Sequence, residues 1–194
     1  KVGAPYVDYA TGMNAAMAIM AGLAQVRRTG KAVRLDVAML DTALMLMASL
    51  VTQHLTAGWQ PAQNGNEAWS QSPSSGAFQT REGVLMLAAN NDRQFRLLCK
   101  AVGREDVLAD PRWSTPAERA KAAPALRAEL EALFMTRTAA EWETLLETSG
   151  VPAARVRSLD EVVREDQLAA RDLISEMQIA GYGAPVHVPN LPFK

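Results

Sequence analysis

Few residues in this chain have both a type and a setting that could do chemistry, and Asp8 stands first among them. It lies in Tyr6-Val7-Asp8-Tyr9-Ala10-Thr11-Gly12, directly ahead of the most apolar helical stretch of the sequence. The first amides of a helix have no intrahelical acceptor and favour negative charge, so a carboxylate there could serve as a nucleophile or as an acid or base. An Asx turn or an N-terminal cap would place an aspartate in the same way, and spacing alone leaves both readings open.

Other reactive side chains offer less. His54 falls on an apolar helical stretch with no second ligand at helical spacing, and His187 sits between Val186 and Val188. With two histidines and one cysteine, no metal site is expected and an intramolecular disulfide is excluded. Cys99, beside Leu97 and Leu98, reads as a small buried hydrophobe and not as a thiolate nucleophile. Six of the nine methionines, Met13, Met17, Met20, Met39, Met45 and Met47, fall in the first 50 residues. Adaptable packing accounts for them, with a flexible wall around a thioester or acyl chain as the alternative. Arg27-Arg28 suits a solvated helix end, phosphate contact being the alternative. No GxGxxG, P-loop or GxSxG pattern occurs.

Composition narrows the field further. A chain of 194 residues is one large or two small domains. Its 20 Lys+Arg against 21 Asp+Glu provide no positive field for a phosphate backbone, so nucleic acid is not an expected partner. At 48% hydrophobic and 21% charged residues it is ordinary globular protein. The apolar run from Met13 to Val26 is shorter than the roughly 20 residues that a bilayer requires, so no membrane span is expected. The single cysteine fits a reducing, cytoplasmic setting. Lys1-Val2-Gly3 shows neither an initiator Met nor a leader pattern, and a preceding segment is expected.

The elements that must hold these residues follow from periodicity. From Met13 to Val26 apolar residues surround nearly the whole helical circumference, which predicts a helix enclosed by other elements and closed at Gly30. Val33, Leu35 and Val37 alternate with Arg34 and Asp36, as in a strand. Met39 to Thr56 predicts one helix, with Leu40, Ala43, Leu44, Met47, Leu50, Val51 and Leu55 on its core face and Gly58 as its stop. Gln60 to Ser75 carries irregular-chain vocabulary and reads as a linker or a loop over a site.

Beyond it, Ala77–Thr80 and Val84–Ala88 flank Arg81-Glu82-Gly83 as a hairpin. Asn90 or Asn91 can cap a helix bearing Phe95, Leu98 and Val102 and closed by Gly103. Thr115 with Glu118, Thr138 with Glu141 and Ser158 with Glu161 form capping-box patterns, predicting helices from Pro116, Ala139 and Leu159. A short extended run follows Gly150-Val151-Pro152, and alternation resumes from Leu173 to Ile179. The fold class is thus α/β: a helix-strand-helix portion at 1–59, a linker at 60–75, a small α/β domain at 76–172 and a returning segment at 173–194.

Several strings, taken in order, resemble the family III coenzyme A transferases, which include formyl-CoA and carnitine CoA-transferases and α-methylacyl-CoA racemases. They are Asp8-Tyr9-Ala10-Thr11-Gly12-Met13, Arg28-Thr29-Gly30-Lys31, Val37-Ala38-Met39-Leu40-Asp41 and Gly76-Ala77-Phe78-Gln79-Thr80-Arg81-Glu82-Gly83. Asn91-Asp92-Arg93-Gln94-Phe95, Asp110-Pro111-Arg112-Trp113, Thr138-Ala139-Ala140-Glu141-Trp142 and Gly150-Val151-Pro152-Ala153 continue the likeness over nearly the whole chain.

The resemblance implies that residues 1–59 belong to a large CoA-transferase domain and that the protein forms interlocked homodimers. It implies an acyl-CoA thioester and a carboxylic acid as substrates, with no permanently bound cofactor. Asp8 matches the family's catalytic aspartate. In that chemistry the carboxylate attacks the thioester to give a mixed anhydride and releases the CoA thiolate. The thiolate returns to give an aspartyl-CoA thioester, and an incoming acid runs the sequence in reverse. A racemase-like role, with Asp8 exchanging an α-proton, and a purely assembly role are the alternatives. Met39 matches a position near bound CoA. The carboxylate should be shielded from water that would hydrolyse the anhydride. The family's glycine-rich cover would fall at Trp69 to Pro73, where the glycines are absent, and Ala32 stands where the family has glycine after Thr29-Gly30-Lys31. Most CoA contacts would lie ahead of Lys1, so the 194 residues alone are expected to be inactive.

Overall fold

The computed structural model describes residues 3–63, 65 and 72–193. The chain mixes helices and strands, as expected, and divides into two compact units, 1–63 and 64–194.

The first unit is built on α1 (Tyr6–Thr29), α2 (Met39–Leu46) and α3 (Ala48–Ala57). Gly30 ends α1 in the left-handed region at φ 67°, its amide donating to Val26 O at 2.8 Å, with Arg27 and Arg28 in the last turn. Packing against α1 uses small residues. Its better-covered positions, Val7, Ala10, Thr11, Asn14, Ala15, Ala18, Gly22 and Val26, recur every three or four residues and so form one stripe. At Gly22 a Cβ would lie 3.2 Å from Val33 Cγ1 and 3.3 Å from Leu35 Cδ1, so the following segment closes tightly on the helix there.

Three expectations for this unit are corrected. The circumference of α1 is not enclosed: Met13, Met17 and Met20 are 61%, 56% and 62% exposed, because only the small-residue stripe meets neighbours among the described residues. The Val33–Val37 segment is not a strand, since it has no hydrogen-bonded ladder among the described residues; Val33 and Leu35 pack on α1 instead. Met39–Thr56 is two helices broken at Met47 (φ −101°, ψ 20°). Of the expected core face, Ala43, Leu50 and Val51 are half-buried, while Leu40, Leu44, Met47 and Leu55 are exposed and the buried residue is Thr42. Gly58 does stop α3, at φ 67° with its amide on His54 O at 2.9 Å.

The second unit opens with β1 (Ser75–Gln79) and β2 (Val84–Ala88), the expected hairpin. Then come α4 (Asp92–Ala101), α5 (Glu105–Ala109), α6 (Pro116–Lys121), α7 (Ala123–Phe134), α8 (Ala139–Thr148), β3 (Ala153–Arg155), α9 (Leu159–Val162), α10 (Asp166–Ala170), β4 (Ile174–Met177) and β5 (Val186–Pro189). β2 lies centrally, antiparallel to β1 and β3, with Phe78 opposite Leu85 and Met86 opposite Ala154. β4 and β5 form a separate antiparallel ribbon.

Here the core closes. Phe78, Leu85, Leu98, Leu126, Phe134, Trp142 and Leu146 are essentially sealed. Phe134 stands 4.9 Å from Phe78 and 5.2 Å from Trp142, the latter nearly edge-on at 83°. Trp142 Nε1 donates to Phe134 O at 2.9 Å, so its one polar atom is satisfied. Asn91, Thr138 and Ser158 each form a complete capping box, with Gln94, Glu141 and Glu161 respectively. Thr115 forms only half of one: its hydroxyl accepts from Glu118 N, but the Glu118 carboxylate pairs with Lys121 at 2.7 Å.

Candidate functional site

Asp8 is the third residue of α1. The helix starts at Pro5, which offers no side-chain cap, and Tyr9 N makes the first helical hydrogen bond, to Pro5 O at 3.1 Å. Asp8 is therefore neither an Asx-turn residue nor the cap; it is the acidic residue of the first turn, where the macrodipole favours negative charge. It accepts no hydrogen bond from the described residues and pairs with no cation among them. The expected shielding is not present either, for Asp8 is exposed.

Helical spacing places Asp8 on the flank of the small-residue stripe, on the same side as Gly12, Ile19 and Leu23. Gly12 lies one turn beyond the carboxylate and is exposed, and a Cβ built there would meet nothing within 4 Å. No packing among the described residues calls for glycine at that position. The consequence is open helix backbone beside the carboxylate, where another group could approach closely.

Met39 is the first residue of α2, follows the extended Ala38 (φ −110°, ψ 143°) and is exposed. A polar chain ties its helix to that of Asp8. Asn14 Nδ2 donates to Thr42 Oγ1 at 3.2 Å, and Thr42 Oγ1 donates to Ala38 O at 3.1 Å. Asn14 Nδ2 also lies 4.0 Å from Met45 Sδ. The crossing of α1 and α2 therefore carries a specific register. Sequence reading passed over Asn14 and Thr42, although an amide and a hydroxyl inside two apolar helical runs are the signal that could have marked them.

The remaining candidates take structural roles. His54 Nδ1 lies 3.0 Å from Trp59 O, and His187 lies 4.0 Å from Glu176. Cys99 is buried, and burial pushes its thiol up to about 11, which removes the thiolate a nucleophile would need. Among the described residues no three His, Cys, Asp or Glu cluster as metal ligands, and no helix is long and apolar enough to cross a membrane. Trp69, Ser70 and Gln71, where the cover segment was expected to begin, lie outside the described residues.

The family model described as CoA-transferase family III matches residues 1–194. The mouse succinyl-CoA:glutarate CoA-transferase is 32% identical over 177 residues, 91% of this chain and 40% of that protein. The succinate–glutarate CoA-transferase of Agrobacterium fabrum is 30% identical over 205 residues, covering all of this chain and 50% of its own length. In three dimensions, the crystal structure of Rv3272 from M. tuberculosis matches with a TM-score of 0.82 at 30% identity, covering 100% of this chain and 50% of that one. The chain thus spans about half the length of these relatives. It belongs to CoA-transferase family III.

Proposed function

We propose that this member of family III supplies the reacting carboxylate for acyl-CoA transfer between carboxylic acids, with Asp8 as the nucleophile. The observation that carries the reading is the setting of Asp8 within a family match that runs the length of the chain: a lone carboxylate in the uncapped first turn of a long helix, with bare backbone at Gly12 beside it. Asp8 Oδ attacks the thioester carbonyl, the C–S bond breaks, and the thiolate leaves with the electron pair. The thiolate then attacks the aspartyl carbonyl of the anhydride, freeing the first acid, and the second acid reverses both steps. Two charged carboxylates and an activated thioester are exchanged with no net proton transfer.

Met39 would stand against the CoA portion, held in register with Asp8 through Asn14 and Thr42. Water must be kept from the anhydride, and since Asp8 is open to solvent here, that shielding is assigned to polypeptide beyond these 194 residues or to a second protomer. The exposed apolar side chains of α1 and α2 agree with assembly of that kind. Short dicarboxylic acids are the first substrates to test, because two of the relatives above are named for succinate or succinyl-CoA and glutarate.

The test uses the full-length protein with succinyl-CoA and glutarate, followed by a panel of other acyl-CoAs, and peptide mass spectrometry. A CoA adduct is expected on the peptide holding Asp8, and Asp8→Ala should remove the adduct and lower exchange by roughly a thousandfold or more. Unchanged exchange in Asp8→Ala would refute the assignment.

A further inference from the structure

A cavity of about 380 Å³ opens in the second unit between the start of β1 and the first turns of α7, lined by Ser72, Pro73, Ser75, Ala123, Pro124, Arg127, Ala128 and Glu131. Three features of it point the same way. First, Ser75 is 1% exposed and among the described residues its Oγ has no hydrogen-bond partner, an arrangement that is unfavourable unless something occupies the site. Second, Arg127 retains donor capacity. Its Nε donates to Glu131 at 2.8 Å, Nη1 to Ser75 O at 3.2 Å and Nη2 to Ala77 O, and its Cζ stands 3.7 Å from the centroid of the Phe78 ring. A guanidinium has five N–H groups, so two remain, one on each terminal nitrogen. Third, α7 begins without a side-chain cap and without an acidic residue in its first turn.

The guanidinium is fixed by the sheet and cannot swing to meet its needs elsewhere. Spare donors on a fixed guanidinium, a buried hydroxyl and Ala and Pro walls suit a small group that accepts hydrogen bonds. We infer that the Ser75–Arg127 cavity binds a small organic carboxylate, one oxygen on the free N–H groups of Arg127 and the other on the Ser75 hydroxyl. The site involves neither Asp8 nor Met39. Glu131 shares Arg127 and opposes an incoming anion, which keeps the affinity modest.

Hydrogen-exchange mass spectrometry of the full-length protein, titrated separately with acetate, succinate and inorganic phosphate, locates the effect. Protection of peptides covering residues 72–79 and 122–131 is expected with a carboxylate. Ser75→Val, which suits a strand and fills the space, should weaken that protection by about tenfold in concentration, as loss of a hydrogen bond to a charged group does. Glu131→Gln, at an exposed position, should strengthen it by about threefold by removing the competing charge. No protection by either carboxylate would overturn the inference. So would protection unaltered in Ser75→Val, or phosphate protecting at lower concentration than both carboxylates. Because the readout is confined to β1 and α7, it stands or falls separately from labelling of Asp8.

Discussion

The first unit of this chain is the richer in apolar residues, yet the second is the one that buries them. Beyond Ser72, aromatic and aliphatic side chains interlock around Phe78, Phe134 and Trp142, and buried Arg119 is held by Asp92 at 2.6 Å and Trp113 O at 2.9 Å while stacking on Phe95. In the first unit the large side chains face outward and small ones do the packing. An apolar run therefore states that a surface is costly to leave in water; it does not state that the same chain covers it. The second unit closes its own core, whereas the first leaves its large apolar side chains open and carries Asp8, the proposed nucleophile.

The sharpest way to break this comparison is truncation of one large side chain in each unit. Trp142→Ala should destabilise the second unit by about 3–5 kcal/mol, because it removes a sealed ring and strands the carbonyl of Phe134. Met17→Ala should move stability by no more than about 0.5 kcal/mol. Urea unfolding followed by far-UV circular dichroism measures both, and comparable losses would erase the distinction.

Two glycines of one helix sharpen it next. Gly12→Ala meets open space and should stabilise α1 by about 0.5–1 kcal/mol through helix propensity, whereas Gly22→Ala must push Val33 and Leu35 aside and should gain less or lose. Exchange activity should rank them differently, falling in Gly12→Ala because the new methyl stands beside Asp8. Full activity in Gly12→Ala would mean that nothing approaches the helix there.

The smallest expected effect is in the acid range. Arg155, followed by the Ser158 amide and hydroxyl, holds the Glu161 carboxyl at about 2, below its ordinary 4.5. A depressed carboxyl contributes stability that is present above about 4.5 and is lost as pH falls toward about 2. Glu161→Gln keeps the reach to the Ser158 amide but cannot ionise. Its urea midpoint should fall less between pH 5 and pH 2.5 than that of the parent chain.

Local chemistry was legible in the sequence. The left-handed stops at Gly30 and Gly58, the boxes at Thr138 and Ser158 and the hairpin around Gly83 all depend on residues a few positions apart. What escaped depends on distant partners. Alternation at Val33, Leu35 and Val37 fixes which side chains share a face, but a strand also needs a neighbouring backbone, and Val33 and Leu35 meet Gly22 instead. Arg119 and Arg127 escaped because their partners lie up to 52 residues away, at Asp92 and Ser75. Asp8 was singled out by type and setting, yet its exposure could not be read from periodicity, since that depends on what else covers α1.

One further consequence lies in Cys99. As the chain's one thiol, sealed in α4 and held protonated well above neutrality, it is silent toward alkylating reagents while the second unit stays shut. Its modification rate therefore clocks how often that unit opens, a reporter native to the molecule.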